Sequence, residues 1–132
     1  MTPIGSRRAV LWAPAALLLA YEFYLSSQSV LPVPGAFAAV PQSDKLAHAA
    51  YFFLMGAMAV RAARFGERWS ARRTFWTVAL AALVYGALDE FHQSFVPMRD
   101  VEVGDVLADT FGGLLAGLFA ERLWISSRFE RR

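Results

Sequence analysis

Four long runs without Asp, Glu, Lys or Arg, separated by gaps that are alternately rich and poor in arginine, constrain this chain most. Residues 9–21 carry no charge, and after Glu22 the chain stays uncharged to Ser43. Residues 46–60, 74–88 and 110–120 are further uncharged runs. Each run is shorter than the ~20 residues that carry a helix across the hydrocarbon core of a bilayer. Flanking polar residues bring each to that length, which predicts spans at about 9–26, 45–63, 74–95 and 103–125. Arg7 and Arg8 precede the first span. Arg61, Arg64, Arg68, Arg72 and Arg73 separate the second from the third, and Arg122, Arg128, Arg131 and Arg132 close the chain. These are eleven of the 13 basic residues. Only Lys45 and Arg99 fall in the other two connections. A soluble four-helix bundle has no reason to alternate its charge in this way, whereas the positive-inside rule demands it. The pattern places both termini and the 64–73 loop in the cytoplasm, and the 27–44 and 96–102 loops outside. Trp12, Trp69, Trp76 and Trp124 fall near the cytoplasmic ends, where aromatic anchors are enriched.

The 132 residues suffice for one small domain, 1–132, and 57% of them are hydrophobic against 18% charged. That balance excludes intrinsic disorder. The absence of cysteine excludes a disulfide scaffold, thiolate metal sites and a cysteine nucleophile. A net charge of +2 gives no sign of nucleic-acid binding, and no cofactor motif is present. One competing reading of the N-terminus is a signal peptide, with Arg7-Arg8, an apolar stretch and Ala36-Phe37-Ala38 as the cleavage site. In the other reading, Ser26–Gln42 is an extended outer loop in which Pro32, Pro34 and Pro41 block helix.

The acidic residues run opposite to the arginines. Glu22, Asp44, Asp89, Glu90, Asp100, Glu102, Asp105 and Asp109 are eight of 11, all toward the outer side. Helical spacing groups them. Asp44, His48 and Tyr51 share one face of the second span. Tyr85, Asp89, His92 and Gln93 share one of the third, and Asp105, Asp109, Gly112 and Gly113 one of the fourth, extended by Gly117. Glu22 and Ser26 lie one turn apart on the first. At 1.5 Å per residue, His48 lies roughly 6 Å and Asp109 roughly 9 Å below their outer ends, and Asp89 roughly 22 Å above its inner end. All fall in the outer third of a ~30 Å core. Polar groups from four spans at one depth predict an all-α, four-helix transmembrane bundle with a polar cavity open to the outside. Lys45 and Arg99, the two cations there, sit beside carboxylates, and Arg99 can grip a carboxylate or phosphate with two hydrogen bonds. Glu22 has Lys45 or Arg99 as potential partners. The glycines suit close helix approach better than phosphate cradling.

In this order the motifs resemble those of the VanZ-like membrane protein family. They run from Asp44-Lys45-x-x-His48-x-x-Tyr51 through Asp89-Glu90-x-His92-Gln93-x-Phe95-Val96-Pro97-x-Arg99 to Asp105-x-x-x-Asp109 with Gly112 and Gly117. Ser26-Ser27-Gln28 adds to the likeness, which covers about residues 20–118. Met98 stands where the family usually has glycine, and Asp109 where it often has asparagine. The resemblance implies a multi-spanning protein. The family takes its name from a protein that raises resistance to teicoplanin, a glycopeptide that binds cell-wall precursors.

Ionisable groups inside a membrane mark function by default. His48, Asp89 and His92 are the candidate catalytic groups. Asp44, Lys45, Tyr51, Tyr85, Glu90, Gln93, Arg99, Asp105 and Asp109 are the candidate binding groups. Glu90 points about 100° from Asp89, toward another neighbour. His48 reads either as a proton-transfer group oriented by Asp44 or as a neutral histidine bonded to Tyr85 or a backbone carbonyl. No metal is expected, since the spacing of His48, His92, Asp89, Asp105 and Asp109 matches no ligand motif. Ser43 and Ser94 lack a nucleophile elbow. The favoured reading is a multi-pass protein of the inner (plasma) membrane. It would bind or process an anionic lipid-linked or amphipathic envelope molecule, such as a lipid-linked precursor or a glycopeptide, amid membrane lipids. A hydrolase or transferase acting on that molecule is the alternative. A proton-coupled transporter ranks lower, because the inner half lacks ionisable residues.

Overall fold

The computed structural model describes residues 4–31 and 35–129, with side chains for 7–31, 35–36 and 39–119. Pro32, Pro34, Arg131, Arg132 and the side chains of Phe37, Ala38, Arg122, Trp124 and Arg128 lie outside the described residues. The fold is all-α: α1 (Ile4–Ser26), a short α2 (Gly35–Ala38), α3 (Ser43–Phe65), α4 (Ala71–Gln93) and α5 (Val103–Phe129). The four long helices coincide with the four expected spans. α1 begins at Ile4 instead of 9, because backbone hydrogen bonding does not stop where apolar composition does. Over the described residues, three helices are long and apolar enough to cross a membrane: Arg7–Ser26, Ser43–Phe65 and Ala71–Gln93. α5 is not among them. Asp105 and Asp109 occupy its first two turns, and its described apolar stretch runs only from 110 to 119.

Large apolar side chains face outward. Leu17 is 70% exposed, Leu80 61% and Phe111 55%. The interior is rich in small residues, among them Ala15, Ala62, Ala63, Ala79, Ala82 and Ala116, beside Leu11, Phe52, Val60 and Val78 and together with Glu22, Asp89, Glu90, Asp105 and Asp109. A soluble bundle inverts this arrangement. In lipid, helices gain nothing by hiding leucine from one another and associate through close backbone packing and buried polar contacts.

α5 provides that packing against both α3 and α4, while α1 leans on α3 and touches α4 sparsely. Glycines set the distances. A Cβ at Gly112 would collide with the carbonyl oxygen of Ala49 and lie 2.9 Å from the backbone nitrogen of Phe53, both on α3. At Gly113 it would lie 2.5 Å from the Ala82 Cβ on α4, and at Gly117 2.8 Å from the Phe75 ring. Gly56 meets Ala116 in the same manner.

The α3–α4 turn and the start of α1 form one end of the molecule. Trp12 and Trp69 meet edge to face with ring centroids 6.4 Å apart. The Arg73 guanidinium lies 4.1 Å over the Trp69 ring. Arg8 lies 3.6 Å from Glu67, which also accepts a 3.4 Å bond from Trp12 Nε1. Arg64 donates to the Trp69 carbonyl at 2.6 Å, and the Ser70 hydroxyl caps α4 by accepting from the Arg73 backbone. Replacing Gly112 by alanine is expected to destabilise the bundle by about 1–3 kcal/mol, because backbone sets the clash and cannot yield. Thermal unfolding of the purified protein in mild detergent measures it.

Candidate functional site

At the opposite end, α3 and α5 present their acidic and basic residues to each other. Lys45 is the hub. Its ammonium lies 2.8 Å from Asp105, 2.6 Å from Glu102 and 2.7 Å from Asp44. One turn deeper, His48 Nδ1 lies 2.9 Å from Asp109 Oδ1, and its Nε2 lies 3.9 Å from Asp105. Asp109 is 1% exposed and rests on the bare backbone of Gly86, where a Cβ would sit 2.7 Å from its Oδ2. Gly86 thus admits the carboxylate to the α4–α5 contact, a role that glycine within a helix does not announce in sequence.

The histidine is therefore oriented by a carboxylate, but the carboxylate is Asp109 on α5. Asp44, one turn before His48 on its own helix, is exposed and turned to Lys45. Neither tyrosine bonds His48. Tyr51 donates to the Leu18 carbonyl at 2.7 Å and Tyr85 to that of Leu19 at 3.3 Å, so both attach α1 to the bundle. His48 pairs across helices because α5 brings the buried Asp109 to it, while the exposed Asp44 is taken by Lys45.

On α4, Gln93 donates to Asp89 at 2.6 Å, both side chains being buried. Glu90 does face another neighbour. Its carboxylate accepts the Glu102 backbone N–H at 2.6 Å, just before the first turn of α5, and so ties the 94–102 loop to α4. An acidic group at a helix start is favourable both as an acceptor for unpaired N–H groups and against the helix dipole. His92 lies apart from His48. It contacts the Ser27 hydroxyl at 3.1 Å and stacks near Phe23, with ring centroids 4.7 Å apart. Because Ser27 donates to the Phe23 carbonyl at 2.7 Å, its oxygen accepts from His92, which leaves the hydroxyl unactivated as a nucleophile. This Ser–His contact between α1 and α4 is invisible to helical spacing.

A cavity of about 730 Å³ opens between these elements, with Glu22, Ser26, His48, Tyr51, Arg99 and Asp105 among its lining residues. Glu22 does not pair with Lys45 or Arg99. Its Oε2 is buried without a partner among the described residues, as are Ser26 Oγ, Asp89 Oδ1 and Glu90 Oε1. Arg99 is not held by a carboxylate either, and its Nε is buried and unpartnered. Among the described residues no three His, Asp or Glu side chains converge as metal ligands. Where three carboxylates do meet, the Lys45 ammonium occupies the point between them.

Apolar helices with small residues between them, and an ionisable cluster at one end, define a helical membrane protein with an internal polar site. Residues 7–124 match the VanZ/LLP1 family, and the chain belongs to that family. No curated protein and no solved structure gives a significant match to it.

Met98 adopts φ 64°, in the left-handed region that glycine occupies without strain. The turn before Arg99 therefore keeps the backbone conformation that a glycine would favour, with methionine in its place. Met98→Gly is expected to raise stability by about 0.5–1 kcal/mol, the relief of strain exceeding the entropy cost of glycine. His48→Ala leaves Asp109 buried and unpaired and is expected to cost about 3 kcal/mol, much of it recovered when Asp109→Asn is added. Thermal unfolding of the single and double variants in detergent measures both effects.

Proposed function

We propose that this protein crosses the inner (plasma) membrane four times, with both termini and the arginine-rich 64–73 loop in the cytoplasm. The cavity between Glu22, His48 and Arg99 then opens to the outer face. There it holds the anionic group of a lipid-linked or amphipathic cell-envelope molecule. The observation that carries this reading is the contrast between the two cations at that end. Lys45 is neutralised by three carboxylates, whereas Arg99 lines the cavity with Nε unpartnered. A buried guanidinium nitrogen without a partner is costly, and a phosphate or carboxylate satisfies it with charge-assisted bonds. The unpartnered oxygens of Glu22 and Ser26 stand ready for hydroxyl or amide groups of the same molecule. An effect on glycopeptide susceptibility follows where that molecule is the precursor such antibiotics bind.

The His48–Asp109 pair favours a second reading, in which the site processes the molecule as a hydrolase or transferase. A histidine with one nitrogen fixed by a carboxylate presents the other for proton transfer. Arg99 would then stabilise developing negative charge.

Native mass spectrometry of the parent, Arg99→Gln and His48→Gln, each purified from membranes, separates these readings. The parent is expected to carry one anionic envelope species that Arg99→Gln loses. Accumulation of that species on His48→Gln assigns turnover, and unchanged occupancy assigns binding alone. If nothing travels with the parent and both variants merely unfold at lower temperature, the cluster is a structural network and the proposal fails.

A further inference from the structure

A second cavity, of about 500 Å³, runs along the bundle between α1, α3 and α4. Its walls are Ala15, Ala16, Ala59, Ala81, Val84 and Leu88, with Trp12 and Trp69 at the arginine-rich end. Small residues on all three helices leave this groove. The sparse contact between α1 and α4 keeps it open sideways, so Ala16, Ala81, Val84 and Leu88 are exposed along it. From 77 to 88 on α4 its wall rises roughly 16 Å, about half of a ~30 Å hydrocarbon core and so the depth of one leaflet.

Its two ends differ. Toward the polar site its lining ends with Phe52, which is 1% exposed, Tyr85, whose hydroxyl bonds α1, and Leu88. At the other end, Arg73 lies over the ring of Trp69, and Arg8 precedes Trp12 by one turn of α1. Both arginine side chains are exposed. Among the described residues Arg8 has one ionic contact, at 3.6 Å to Glu67, against a carboxylate that Trp12 shares.

We propose that this groove is a binding site for one hydrocarbon chain of an anionic glycerophospholipid from the leaflet at the arginine-rich end. The chain lies against the alanine faces of α1, α3 and α4. The phosphate is held by Arg8 and Arg73, beside the two indole rings. An apolar groove inside a membrane competes with lipid tails that are equally apolar, so hydrocarbon alone gives no selectivity. The headgroup supplies it, through the two exposed arginines beside Trp12 and Trp69 at that end. This site is separate from the cavity at Arg99 and does not rest on what that cavity holds.

The test is native mass spectrometry of the delipidated full chain titrated with dioleoyl phosphatidylglycerol or dioleoyl phosphatidylcholine in matched micelles. One phosphatidylglycerol is expected to bind, about tenfold more tightly than phosphatidylcholine, each arginine near the headgroup contributing a severalfold preference. Arg8→Gln with Arg73→Gln is expected to remove that preference. Ala81→Phe, at an exposed position on the rim, is expected to lose the bound lipid with helix content unchanged by circular dichroism. Ala16→Phe fills the same groove from α1 should the first variant misfold. Arg99→Gln is expected to leave this lipid bound, so failure at the outer cavity does not register here. Equal binding of both lipids by the parent, or full retention by folded Ala81→Phe or Ala16→Phe, overturns the assignment.

Discussion

α5 carries Asp105 and Asp109 into the bundle on the two turns before Gly112 and Gly113, and the missing side chains of those glycines let it approach α3 and α4. With a Cβ at Gly112 the helix would stand off from the carbonyl of Ala49. His48 lies one residue before that contact on α3. The 2.9 Å bond from His48 to Asp109 thus depends on backbone packing three residues along α5. Gly86 does the same from α4, leaving room for the Asp109 carboxylate itself. Desolvating two ionisable groups costs more than their attraction returns unless geometry is good. Here close packing enforces the geometry.

That constraint also orders the charges along the bundle. Carboxylates from α1, α3, α4 and α5 gather at one end, and Lys45 enters among three of them in the position a bound cation would take. Asp89 relies on Gln93, and Glu90 on a backbone N–H of the loop it anchors. Arg99, Glu22 and Ser26 border one cavity and each keeps a buried polar atom unpaired, as do Asp89 and Glu90 behind it.

The four long helices were legible in the sequence because apolar runs and arginine gaps have the period of a bilayer. The gathering of the polar residues at one end of the bundle was legible too, because 1.5 Å per residue converts position into height along each helix. Pairing across helices was not. Spacing put Asp44 beside His48, but it holds no information on which α5 residue stands opposite, and Asp109 took the place. Spacing likewise put His92 with Asp89 and Gln93, while a turn of 100° per residue carries its ring to Phe23 and Ser27 on α1. The positive φ of Met98 had one sequence signal, the departure from glycine in the family motif. The groove beside α1 had none, since alanines on three helices mean nothing until the helices are assembled.

Like α3, α1 borders both cavities. Its Glu22 and Ser26 face the polar one, and Trp12, Ala15, Ala16 and Leu19 face the apolar one. It is held mainly by α3 and by two tyrosine hydroxyls that bond the carbonyls of Leu18 and Leu19. Those carbonyls already accept helical hydrogen bonds, so the tyrosines add attachments without breaking α1. They also form the tier, with Phe52, that separates a charged site from a hydrocarbon groove. Residues of α3 and α4 thus keep the two environments apart, while α1, the one long helix not drawn in by these glycine contacts, borders both.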